Sequence, residues 1–472
     1  MIYPETTKQR LDLQGSIISN NTLNGNVILI RLNAPVFHSV SNTTFESNAL
    51  NFLDDQNPYL FHSTFNLQIE DSNFLSNTII QAYLINILTL AKTKSRLSIN
   101  NTRFLGNNIT SYNEKPAYLI YVGGSSSKNY TVSMNEVTFS QNILSQVEEG
   151  SSSKCALIEL SESNVTMKNA EFSYNTHLGS AIQLTITSSS HLIGSNITFL
   201  NNLLKSQSIL FATKLRSSSQ IDSIYIKDNN FQDEALAIYT GNQVTLVMDN
   251  GEISNNLISI NASILNIENK ADCRITNFTF IPYKSSKVEL YNIKDEFLLH
   301  VVSSSIKMTA CKFEGFGHII DVFESLAILE DIIVSNWKTT VSQRKFLQGF
   351  NSQVTLHNIN LVSVTDTNTE NDDALFLIVG TDLDIRGLNI TGMVTKTGNI
   401  FEAVGGMLYL DGCEIIDTYS GEGYVLNLNG NNLVHMKNCI FSDSRKFLLG
   451  KNIDDFMLRT NYINSNSPTQ SL

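Results

Sequence analysis

The chain is expected to fold as an all-β protein, a right-handed parallel β-helix of about seventeen coils. Three observations predict this: an eight-residue pattern that recurs along the chain, Ser- and Gly-rich turns between its copies, and poor helix signals throughout. The pattern reads apolar, x, apolar, x, Asn/Asp/Gly, x, x, Phe or aliphatic, as in Leu97–Phe104, Val165–Phe172 and Val354–Leu361. Its seventeen copies, spaced 21 to 35 residues apart, close on residues from Ile18 to Ile463, with Phe231 closing the eighth.

Each part of a copy has a physical reading. The first three positions alternate apolar, polar, apolar, which describes a short strand with one buried face. Asn, Asp or Gly then supplies a bend, because these residues tolerate left-handed backbone angles. The Phe or aliphatic residue three places on points inward again. A second strand follows in most units, as in AYLINIL (82–88), AYLIYV (117–122) and SAIQLTI (180–186). Turns such as GGSSSKN, TSSSH and RSSSQ lead to the next copy. One such unit cannot bury its apolar face alone, so units stack with like residues above like residues. Phe45, Phe74, Phe104, Phe139, Phe172 and Phe199 are expected to stack in the core. Asn42, Asn101, Asn169 and Asn196 are expected to form an amide ladder along the bend. A leucine-rich horseshoe needs two residues between its second apolar position and Asn, whereas one stands here. Residues 1–10 read as an N-terminal extension and residues 11–472 as a single continuous β-helix.

Composition agrees with this architecture and excludes several functions. The 472 residues include 55 Asn, 53 Ser and 37 Thr, while charged residues make up only 16%, against the usual value of about 25%. Hydrophobic residues at 42% provide a core, which excludes disorder. A net charge of −12 speaks against nucleic acid or an anionic membrane as partner. The longest apolar run, Ala82 to Ala91, is too short to span a bilayer. The opening MIYPETTKQR has no basic segment followed by an apolar one, so no signal peptide is read there.

The bend often continues as F-x-x-N: FESN (45–48), FLSN (74–77), FLGN (104–107), FSQN (139–142), FSYN (172–175) and FLNN (199–202). This resembles the F-x-x-N half of the repeat in polymorphic outer-membrane-protein-like β-helices of the pectin-lyase-like superfamily. The Asn-rich, Gly-poor character also resembles surface proteins of ciliated protists that carry such repeats. The resemblance implies an extracellular or cell-surface protein used for adhesion or scaffolding rather than for one defined reaction.

Candidate chemistry is sparse. Asp384, Arg386, Asp411, Lys437 and Arg459 occupy outward positions of the late coils. They suit acid–base work on a uronate polymer or, more simply, an alternating-charge ladder. The second reading is preferred, so no catalytic residue, metal site or cofactor is assigned and no enzyme activity is expected. Cys413 and Cys439 share a repeat position in consecutive coils and read as a disulfide or as a stacked thiol pair. Ten N-x-[ST] sequons, at Asn20, Asn42, Asn100, Asn108, Asn129, Asn164, Asn196, Asn261, Asn277 and Asn389, are possible glycosylation sites. Repeats that reach both ends of the chain leave open coil ends. Self-association through those ends into a filament is therefore expected, or membership in a larger surface protein. Glycans are the other partner considered.

Overall fold

A computed structural model describes residues 10–465, except 25–27, 33–35, 52–57, 90–94, 113–115, 125–129, 148–154, 260–261, 283–297, 316–317, 337, 340–344, 363–364, 367–373, 396–397, 421–422, 444–445 and 460–461. Residues 1–9 of the expected N-terminal extension lie outside the described residues. The fold is an all-β parallel solenoid in which every strand pairs in parallel with a strand one coil away. No helix among the described residues is long and apolar enough to cross a membrane. The described residues form about 13 turns, somewhat fewer than the seventeen coils expected. Contacts divide the chain into two compact units: Met1–Met248 with Asn256–Ala262, and Asp249–Asn255 with Ser263–Leu472.

One coil of the first unit shows how sequence makes the turn. The strand Ser163–Ser173 bends at Asn169, which takes φ 50°, and ends before Tyr174 at φ 54°. Thr176–Leu178 and Ile182–Thr187 follow, and Ser188 and Ser189, both at positive φ, lead into His191–Leu200. Each corner residue stays bonded to the next coil: the Tyr174 N–H donates to Leu200 O at 2.9 Å and that of Ser189 to Leu215 O at 2.9 Å. A coil therefore turns on one or two left-handed residues at a corner and leaves few backbone donors idle.

The core of the first unit is a column of rings. Phe45 and Phe74 lie 4.8 Å apart, Phe74 and Phe104 4.7 Å, Phe104 and Phe139 4.8 Å, Phe139 and Phe172 5.0 Å, and Phe172 and Phe199 4.9 Å. All six are fully buried. The column continues to Ile226, the register partner of Phe199, and not to Phe231, which pairs with Leu204 on the following strand. This corrects the eighth copy. Ile224-Tyr-Ile226-Lys-Asp228-Asn-Asn-Phe231 satisfies the pattern, but the first corner of that coil is Ser223, at φ 63°.

The amide ladder is also placed differently. Asn42, Asn101, Asn169 and Asn196 do occupy left-handed bends, yet their side chains are exposed. They make partial contacts only, such as Asn196 Nδ2 to Asn169 Oδ1 at 2.9 Å and Asn101 Nδ2 to Asp71 Oδ1 at 2.6 Å. The buried ladder runs instead through the last residue of F-x-x-N: Asn48, Asn77, Asn107, Asn142, Asn175, Asn202, Asn229 and Asn256. Asn142 Nδ2 donates to Asn175 Oδ1 at 2.9 Å and to Phe104 O at 3.0 Å. Its Oδ1 accepts from Asn107 Nδ2 at 2.9 Å and from Asn107 N at 3.0 Å. Every polar atom of that amide is used.

The second unit has the same strand plan with a different corner chemistry. Phe280 stacks on Phe313 at 4.5 Å, and the row continues through Val334, Leu361, Ile390, Ile415, Phe441 and Ile463. Hydroxyls bond along another corner, the one before the long strand, where Ser163 N already donates to Ser190 Oγ at 3.1 Å in the first unit. Ser304 N donates to Ser325 Oγ at 3.0 Å, Ser325 N to Ser352 Oγ at 3.1 Å, and Ser352 N to Thr381 Oγ1 at 3.3 Å. Cys413 and Cys439 are buried and carry no disulfide, so of the two readings the stacked thiol pair is the one observed. The two thiols are hydrogen-bonded to each other, and the Cys439 thiol also meets Lys437 O at 3.2 Å.

Candidate functional site

One outer face of the first unit is built unlike the rest of its surface. It is made by the stacked strands Tyr59–Ser63, Tyr83–Thr89, Ala117–Gly124, Cys155–Ser161, Ile182–Thr187, Ile209–Lys214 and Leu236–Gly241. In each, two consecutive residues turn inward, as Leu84 with Ile85 and Leu119 with Ile120 do. That kink sends two rows outward. The first row is Tyr59, Tyr83, Tyr118, Ala156, Ile182 and Ile209; the second is His62, Asn86, Tyr121, Glu159, Thr185, Ala212 and Tyr239.

The rows form a cluster of their own, in which Tyr83, Tyr118, Ala156, Ile182 and Ala212 are buried under Tyr59, Tyr121, Ile209 and Tyr239. Tyr59 and Tyr83 have ring centroids 5.3 Å apart, Tyr83 and Tyr118 5.4 Å, Tyr83 and Tyr121 5.4 Å, and Tyr118 and Tyr121 5.3 Å. Tyr121 and Tyr239 fold down over Gly123 and Gly241, where an added Cβ would strike the ring. Each Tyr-x-Gly triplet thus lays a phenol flat along its strand.

Electrostatics mark the same place. Burial pushes the Glu159 carboxyl up, and a hydrogen bond from the Tyr118 hydroxyl and the charge of Lys214 oppose that rise. Burial pushes the Lys214 ammonium down, while Glu159 raises it. Lys214 Nζ lies 5.6 Å from the centre of the Tyr239 ring. Burial also raises the Tyr83, Tyr118 and Tyr121 phenols and lowers His62. Two polar atoms of this face, Asn86 Oδ1 and Thr185 Oγ1, are buried with no hydrogen-bond partner among the described residues. An unmet buried acceptor or hydroxyl costs about 1–3 kcal/mol, so such atoms mark places that a bound group would satisfy. The arrangement offers stacking surfaces, buried acceptors and one desolvated carboxylate.

The residues singled out from sequence lie elsewhere. Arg386 forks onto Asp384 of its own strand at 2.9 and 3.2 Å. It pairs in register with Asp411, which pairs with Lys437; Lys437 Nζ stands 3.9 Å from Asp411. Both carboxylates are thus engaged, and the side chain of Arg459 lies outside the described residues. Of the sequons, Asn20, Asn42, Asn108, Asn164, Asn196 and Asn277 are exposed, Asn100 and Asn389 half-buried, and Asn129 and Asn261 outside the described residues. A concavity of about 720 Å³ runs along the serine corner of the second unit past Asp272, Glu324, Asn351 and Asp382. The tyrosine face escaped sequence reasoning, although Pro-Tyr59-Leu-Phe, Ala-Tyr83-Leu-Ile and Ala-Tyr118-Leu-Ile recur in consecutive coils and carry the signal.

No family model matches the chain, and no curated protein is similar to it. Among solved structures, the surface protein and adhesin PfbA of Streptococcus pneumoniae is similar at 14% identity, over 83% of this chain and 91% of that one, with a TM-score of 0.24. A second PfbA structure gives 12% identity, 83% and 85% coverage and a TM-score of 0.24. ORF18 of Geobacillus virus E2 gives 11% identity, 79% and 55% coverage and a TM-score of 0.23. Likeness at these TM-scores carries no argument, and the solenoid assignment rests on the strand register alone.

Proposed function

We propose that the chain is an extracellular adhesive β-solenoid that holds saccharides on the tyrosine face of its first unit and catalyses no reaction. The observation that carries this reading is the juxtaposition, over consecutive coils, of the half-buried Tyr59 and Tyr121 phenols, packed on Tyr83 and Tyr118, with the unpartnered Asn86 Oδ1 and Thr185 Oγ1. Sugar rings present apolar faces that suit phenols, and hydroxyl edges that suit buried acceptors. The pairing of Asp384 with Arg386 and of Asp411 with Lys437 supports the non-catalytic part. A glycan array tests the reading. The whole chain is expected to select a small set of saccharides and to lose that signal in Tyr59→Ala, a half-buried ring at the edge of the stack. Silence on the array, or an unchanged pattern in the variant, contradicts it.

A further inference from the structure

Two tyrosines of the outer face occupy equivalent settings that differ in one respect. Tyr239 lies over Gly241, and the residue paired with Gly241 one coil earlier is Lys214, whose ammonium rests 5.6 Å from that ring. Tyr121 lies over Gly123 in the same manner, but the residue paired with Gly123 one coil earlier is Leu88. Leu88 is 38% exposed. The first setting carries its own ammonium and the second does not.

The neighbours of Tyr121 supply acceptors. Asn86, its register partner on one side, is 2% exposed and holds the unpartnered Oδ1. Glu159, its partner on the other side, carries the desolvated carboxylate. The charge of Glu162 also acts on the Tyr121 phenol. A tyrosine face attracts a cation through its quadrupole, and an ammonium with three N–H donors matches an amide oxygen and a carboxylate. Arg31 and His62 lie on the far side of Asn86, and His62 is held towards its neutral form.

We infer that the slot over Tyr121 takes a primary ammonium, so that the saccharide is one with a free amino group, such as a deacetylated glucosamine chain. This rests on the saccharide-binding reading and narrows it: the amine sits over Tyr121 between Asn86 and Glu159 as Lys214 sits over Tyr239, and the sugar lies against Tyr59 and Tyr121, the half-buried rings that cover Tyr83 and Tyr118. An N-acetylated chain offers one amide N–H and no charge there, and a polyuronate brings a carboxylate against Glu159.

Titration calorimetry of the whole chain with a chitosan oligosaccharide, its fully N-acetylated counterpart and a galacturonate oligomer tests this. The amine-bearing oligomer is expected to bind at least about tenfold more tightly than the acetylated one, as befits a charge-assisted hydrogen bond. Glu159→Gln is expected to remove most of that preference. Leu88→Lys installs the ammonium found at Tyr239 and is expected to abolish binding while the circular dichroism spectrum stays that of the parent. Equal or tighter binding of the acetylated or uronate oligomer overturns the inference and leaves the saccharide reading standing. Binding of the amine that survives Leu88→Lys unchanged overturns the Tyr121 slot. Binding of no saccharide overturns both.

Discussion

Two asparagines per repeat look alike in sequence and do different work. In Asn101-Thr-Arg-Phe104-Leu-Gly106-Asn107, strict alternation from Ile99 points Asn101 inward. Asn101 and Gly106 both adopt left-handed angles, at φ 44° and 65°. Each such residue interrupts the alternation, so Thr102 and Asn107 turn inward instead and are fully buried. The Phe column was legible because its spacing from the bend survives this shift, whereas the ladder was misplaced by one corner. Stability measurements separate the two roles. Asn142→Ala takes the side-chain partner from Phe104 O, from Asn107 N and from one Nδ2 hydrogen of Asn107, and leaves Asn175 Oδ1 only the backbone donor of residue 142; it is expected to cost about 3 kcal/mol. Asn169→Gly keeps the left-handed corner and should stay within about 0.5 kcal/mol of the parent in urea unfolding.

Strand-level order was read well from sequence for the pattern strands and poorly for the strands that form the outer face. Tyr59, Tyr83 and Tyr118 share one row, but segments of unequal length separate them, so no fixed period aligns them. Glu159 and Lys214 enter the site only through register, three and five coils beyond the first tyrosine. Cross-strand pairing has a further consequence in the second unit. His300 on Leu299–Val302 faces Asp321 on His318–Phe323, with Nδ1 and Oδ2 2.9 Å apart. The hydrogen bond that His300 donates to Asp321 raises the His300 pKa, against the opposing effect of burial. A raised histidine stabilises the fold below its unfolded pKa of about 6.5, and that contribution fades as pH climbs through the folded value. The stability gap between the parent and His300→Gln is therefore expected to be wider at pH 5.5 than at pH 8.5 in urea melts. A gap that does not change, or that widens with pH, contradicts the pairing.

At the scale of the whole molecule, scarcity of charge follows from repetition. Stacked coils place like residues above like residues, where amides and hydroxyls bond to one another and equal charges repel. Asn amides bond along one corner of the first unit, and Ser and Thr hydroxyls along a different corner of the second. Outside those ladders, the first unit carries the tyrosine face and the second carries the serine-lined concavity. Sequence made the solenoid legible because every coil restates it; the face occurs once, so repetition says nothing about it. The central claim is that the face is where a ligand rests. It is tested most directly by a crystal structure of the whole chain grown with the saccharide that binds it best. The account predicts density for sugar rings along Tyr59 and Tyr121, with a donor group on Asn86 Oδ1. Sugar density in the serine-lined concavity of the second unit, with the tyrosine face bare, would contradict it.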